Sequence, residues 1–107
     1  AGASPVKETE KTAEKVIEYL DKGLREAEKV QTDIIDRRIP GFTGHFQNEF
    51  VEGMKHFREG YASSKIGEKL KGAVLLDKWG KWNLKNKKVL SELWREKPSL
   101  FRAVVRD

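Results

Sequence analysis

Apolar residues recur at steps of three and four through the first third of this chain. Ala13, Val16, Ile17, Leu20, Leu24, Ala27, Ile34 and Ile35 fall along one side of a helix wound at 3.6 residues per turn. Ser4-Pro5 reads as the start, with Ser at the N-cap and Pro at the first helical position. Glu8 and Glu10 then sit where the helix dipole favours anions. Arg37-Arg38-Ile39-Pro40-Gly41 reads as the stop. The spacing predicts a helix over 5–38, with a bend or break allowed at Gly23. Such a helix is unusually long for a small domain, and its apolar stripe calls for a cover from the rest of the chain or from another molecule.

The next segment offers a cover of a different kind. After a loop at Gly41–Gly44, a second helix is predicted over about 43–60. Its stripe is mainly aromatic: Phe46, Phe50, Met54, Phe57 and Tyr61, with Phe42 just before. The short loop sets the two helices antiparallel. The second is about half the length of the first, which leaves part of helix 1 without an intramolecular partner.

A third helix is expected over about 64–79, capped at Ser63-Ser64. Ile66, Leu70, Ala73, Val74 and Asp77 follow at helical spacing, and Gly67 and Gly72 weaken it. The run Gly72–Leu76 also suits a short buried strand. Trp79-Gly80-Lys81-Trp82-Asn83 reads as a turn. Lys87–Glu96 reads as a fourth helix with Val89, Leu90, Leu93 and Trp94 on one side. Beyond Pro98-Ser99, residues 100–105 fit either a short helix or a strand. The expected fold is all-α: one helical domain over 1–107 with four to five helices. It comprises residues 1–4 as a disordered or processed end, the long helix over 5–38, and a compact basic part over 43–107. The core read from these patterns is Val16, Leu20, Leu24, Ala27, Ile34, Phe46, Phe50, Phe57, Ile66, Leu70, Val74, Leu90, Leu93 and Phe101.

Composition narrows the function classes. There is no cysteine, which removes disulfide scaffolds, thiolate metal sites and thiol nucleophiles. Charged residues make up 36% and hydrophobic ones 37%, a lean core for a folded domain. No run reaches the roughly 18 apolar residues needed to span a bilayer, and no intact signal peptide is present. The start at Ala1–Ser4 suits a cloning remnant or the end left by a processed targeting peptide, and the compartment stays open. The net charge of +5 is a difference. Residues 1–36 hold 6 basic and 9 acidic side chains, whereas 37–107 hold 16 basic and 8 acidic.

Two clusters could carry function. The stretch 78–88 interleaves Trp79 and Trp82 with Lys78, Lys81, Lys85, Lys87 and Lys88. Tryptophan with a lysine rim suits a protein partner. The same chemistry serves nucleic acid, where lysine neutralises phosphate and rings stack on bases, or peripheral contact with an anionic membrane surface. The cluster lacks arginine, the usual reader of base edges. The second cluster is His45 with Arg37, Arg38 and Glu49, a general base or acid beside cations, as phosphodiester cleavage requires. His45 and His56 lie about 16 Å apart along a helix, too far to share a metal, and no cofactor or metal is expected. No nucleophile elbow or phosphate-binding loop is present. The expectation is a non-enzymatic protein-interaction protein, an accessory subunit or a binding-type effector. The alternative is a small basic toxin-like ribonuclease or RNA-binding domain with His45 at its site.

Overall fold

The computed structural model describes residues 5–100, with side chains from Thr12 onward. The protein is all-α, with no strand among the described residues. Helix α1 spans Pro5–Ala27, α2 spans Thr32–Arg38, α3 spans Phe42–His45, α4 spans Glu52–Ala62, α5 spans Ile66–Lys85 and α6 spans Lys87–Glu96. A π-helical turn over Phe46–Val51 joins α3 to α4 without a break, so the six segments make five helices. A 3-10 turn, Pro98–Leu100, follows α6. The Cα radius of gyration is 16.0 Å and the extents are 54 × 26 × 21 Å. A compact chain of this length would have a radius near 13 Å, so the molecule is an elongated rod.

The helix expected over 5–38 is two helices. Turn hydrogen bonds from Lys29 N–H to Glu26 C=O and from Val30 N–H to Ala27 C=O end α1, and α2 begins at Thr32. A straight helix of that length would run about 50 Å and carry its last residues past the core. The break re-aims them instead, and Val30, Ile35 and Ile39 are all buried in one cluster with Phe42, Phe46, Leu93 and Leu100. Gly23 does not break α1. It is the notch that admits Met54 of α4, whose methyl carbon lies 2.6 Å from where a Cβ would stand. The Asp21–Arg58 ion pair seals the same contact. Gly23 opposite Met54 and Asp21 opposite Arg58 make α1 and α4 antiparallel, as the sequence predicts.

The turn into α3 is fixed by glycine and aspartate. Gly41 takes φ +89°, a left-handed value that other residues rarely adopt. The Asp36 carboxylate accepts hydrogen bonds from Gly41 N–H (3.2 Å) and Thr43 N–H (3.0 Å). The aromatic stripe is as expected from there on. Phe46 and Met54 are buried and Phe50, Phe57 and Tyr61 half-buried, with Phe46 and Phe50 in ring contact at 5.2 Å across the π turn.

Helices α4 and α5 form a hairpin whose backbones touch. A Cβ on Gly72 would stand 2.6 Å from both Gly53 C=O and Phe57 N–H, and one on Gly60 would stand 2.6 Å from Lys69 N–H. Gly72 therefore lies within a helix, not a strand, and it is the residue that permits the crossing. His56 Nδ1–H donates to Glu68 at 2.7 Å across the same pair. Ser63 does not cap α5; its hydroxyl donates to Glu59 at 2.8 Å.

This crossing overturns part of the expected core. Ile66, Leu70 and Val74 are 73%, 60% and 56% exposed. They share a face of α5, but the helix turns its glycine face to α4 and leaves theirs to solvent. Phe101 lies outside the described residues, as do residues 1–4 and most of 100–105. The predicted turn at Trp79–Asn83 is helix too. The Asn83 and Asn86 side-chain amides donate to the carbonyls of Trp79 and Trp82, each at 2.9 Å, and α5 ends only at Asn86. Helix α6 matches its expected bounds. It buries Leu93 and is tied to α2 by Arg38–Glu96 at 2.9 Å.

Gly72→Ala is expected to cost about 1–3 kcal/mol through overpacking. Gly80→Ala, in the open interior of α5 with nothing within 4 Å of a Cβ, should gain up to about 1 kcal/mol. Urea denaturation of both variants checks this, and equal midpoints would contradict the backbone contact. Acid sensitivity follows from three carboxyls. Thr43 and Gly41 hold Asp36 below its ordinary value of 3.8, His56 holds Glu68 below 4.5, and Arg38 does the same for Glu96. Groups more acidic folded than unfolded contribute fully above those ordinary values, and the contribution fades as pH falls through the lower folded ones. Stability should therefore drop on acidification below about pH 4.5. Glu68→Gln and Asp36→Asn should each flatten that drop in urea titrations run from neutral to acid pH.

Candidate functional site

The aromatic residues of two helices meet at one end of the rod. Trp79 stands edge-on to Phe42 and Phe46, with ring centroids 5.7 Å away in each case. It stacks on Trp82 at 5.6 Å, and Trp82 stacks in turn on His45 at 4.5 Å. Placing Trp79 and Trp82 three residues apart on a helix puts both rings on one side, toward α3 and the π turn. This is why α5 stays helical through Gly80 despite that residue's low propensity.

Beside this cluster opens a groove of about 730 Å³, bounded by α5, α6 and the turn at Val30. Phe42, Phe46 and Trp79 form its floor, Leu84, Leu90 and Trp94 its walls, and Lys87 and Arg95 its charged edge. Among the described residues no carboxylate lines it. Leu84 is 71% and Trp94 39% exposed, so the walls present apolar surface to solvent.

The basic stretch at 78–88 takes a form the sequence does not predict. It is not a loop but the end of α5 and the start of α6. Lys78, Lys81, Lys85, Lys87 and Lys88 are all exposed, whereas Trp79 and Trp82 are half-buried against the aromatic cluster. Of these residues, Trp79 and Lys87 line the groove. Lys81 pairs with Asp77 at 3.1 Å. The tryptophan at the groove mouth is Trp94, which sequence periodicity puts on the same side of its helix as Val89, Leu90 and Leu93. Its neighbours Leu90 and Ser91 line the same groove, and the alternation of apolar and polar residues in α6 gives no sign of it.

The second predicted cluster is partly assembled. His45 Nδ1–H donates to Glu49 Oε1 at 3.0 Å. Glu49 lies in the π turn, and its other oxygen, Oε2, is buried with no hydrogen-bond partner. π turns recur at functional sites. Arg38 is engaged by Glu96, and Arg37 is exposed.

Among the described residues no group of three histidine or acidic side chains is placed to hold a metal ion, and no helix is long and apolar enough to cross a membrane. Comparison of the chain with protein-family models, curated proteins and solved structures returned no match.

Proposed function

We propose that the protein is a non-catalytic binding module that docks a protein partner in the groove between α5 and α6. The observation that carries this reading is the groove itself, with its apolar walls, its cationic edge and no carboxylate among its described lining residues. Exposed apolar surface of this kind marks interaction sites, and tryptophan and arginine are the side chains that most often dominate binding energy. Trp94 and Arg95 supply both at the mouth. An accessory subunit or a binding-type effector would use such a surface equally well.

Capture of partners by the immobilised protein from its native source, followed by affinity measurement with whatever is retained, tests the reading. Trp94→Ala and Leu84→Glu should each weaken the retained interaction by about 2 kcal/mol, roughly 30-fold in Kd. Leu84 is 71% exposed, so the thermal midpoint of Leu84→Glu should stay near wild type; Trp94 is only 39% exposed, and its variant is compared at a temperature where circular dichroism shows it folded. Undiminished binding by both folded variants would remove the groove from the interaction.

A second reading rests on the His45–Glu49 pair and the unpartnered Glu49 oxygen, a general base oriented by a carboxylate. It would make the chain a small ribonuclease or an RNA-binding domain. Incubation of the purified protein with single-stranded RNA decides it. Cleavage that disappears in His45→Ala supports the reading, and intact RNA with the wild-type protein removes the catalytic form. Salt-sensitive RNA binding without cleavage would favour the RNA-binding form.

A further inference from the structure

The outward face of α5 carries a pattern that its fold does not use. Ile66, Leu70, Ala73, Asp77, Gly80 and Leu84 follow one another at steps of 4, 3, 4, 3 and 4. That is the spacing of the two core positions of a heptad, held over about two and a half heptads. All six are exposed. Val74 flanks the seam and is exposed as well. The opposite face is already occupied, with Gly72 against α4 and Trp79 and Trp82 against the aromatic cluster. Apolar residues on both faces are the mark of a helix buried on all sides.

The seam does not stop at the end of the hairpin. Gly80 and Leu84 belong both to it and to the groove lining. Seam and groove are therefore one continuous track, about 27 Å from Ile66 to Leu84 at 1.5 Å per residue. Gly80 has nothing within 4 Å of where a Cβ would stand, which leaves room for a close approach.

Charge selects the occupant. Helix α5 carries Lys69, Lys71, Lys78, Lys81 and Lys85 against two carboxylates. Glu68 faces His56 of α4 and Asp77 is paired with Lys81. Lys87 and Arg95 extend the cationic edge along the groove. A second copy laid on this track would set lysine against lysine. An acidic partner would be matched along its length.

We propose that the track from Ile66 to Leu84 takes an acidic amphipathic helix of another protein, packed by heptad-type knobs into holes, with its far end in the groove. Asp77 stands at a core position and sets the register, as single polar core residues do in coiled coils. A partner helix of about 18 to 20 residues would cover the track at 1.5 Å per residue. The inference rests on the groove being a protein-docking site, and it adds the class of partner and the line along which that partner lies.

The test uses the full chain and synthetic helical peptides of about three heptads, with leucine at the core positions. One has glutamate at the flanking positions and one has lysine there. A third has the glutamate peptide's composition in scrambled order. Binding is followed by calorimetry and by anisotropy of labelled peptide. The glutamate peptide should bind, its Kd should rise at least about tenfold (1.4 kcal/mol) with Leu70→Glu, and the other two peptides should not bind at the same concentrations. Leu70 is exposed; if its variant nevertheless fails to fold, Ile66→Ser replaces it. Equal binding of the glutamate and lysine peptides, or no binding of any, overturns the proposal. So does a concentration-dependent dimer of the wild type that Leu70→Glu dissociates. Binding sensitive to Leu84→Glu but not to Leu70→Glu overturns the seam and leaves the groove reading standing. Retained peptide binding in Trp94→Ala, in a protein whose partner capture is also unchanged, overturns the groove reading alone.

Discussion

The crossing of α4 over α5 at Gly53, Gly60 and Gly72 governs the rest of the molecule. Here backbone comes close to backbone at the three glycines, with the Lys69, Leu75 and Leu76 side chains of α5 packed beside the contact. Close approach gains dispersion contacts along both helices. It also fixes the rotation of α5. Once the glycine face is turned to α4, Trp79 and Trp82 fall on the aromatic residues of α3 and the π turn, and the face with Ile66, Leu70 and Val74 falls to solvent. The aromatic cluster, the groove beside it and the exposed seam all follow from one rotation angle.

Sequence patterns revealed the fold class and most element positions, and they failed where two patterns competed. Helix α6 and the aromatic stripe of the second rod were legible because each has a single apolar face. In α5 the larger apolar residues outvote the glycines in any periodicity argument, so the pattern selects the wrong face as core. Glycine at a helix crossing looks in sequence like a weakness. The run Leu20, Leu24, Ala27, Ile34 keeps helical spacing across a real break, so periodicity alone could not end α1 at Ala27. Val30 is the residue that marks the break, and its meaning depends on a tertiary cluster that the local sequence does not contain.

The candidate site was legible in its chemistry and not in its geometry. Basic residues around tryptophan at 78–88 drew attention to the region where the groove opens. That stretch suggests an exposed ring in a loop, whereas Trp79 and Trp82 build the floor and support of the cluster and Trp94 stands at the mouth. The His45–Glu49 contact was within reach of sequence, since the two are four residues apart. The wide turn that buries one Glu49 oxygen was not.

Helices α5 and α6 are separated by the single residue Asn86. Leu93 anchors α6 to the core, and near its outer end the Arg38–Glu96 pair ties α6 to α2, a contact that is open to solvent and weak on that account. The two sides of the groove are therefore mechanically unlike. On the α5 side the groove residues continue a helix that is held to α4 at Gly72 and to the aromatic cluster through Trp79 and Trp82. On the α6 side the outer tie is an ion pair that added salt weakens. Ionic strength therefore acts on one side of the groove and not on the other.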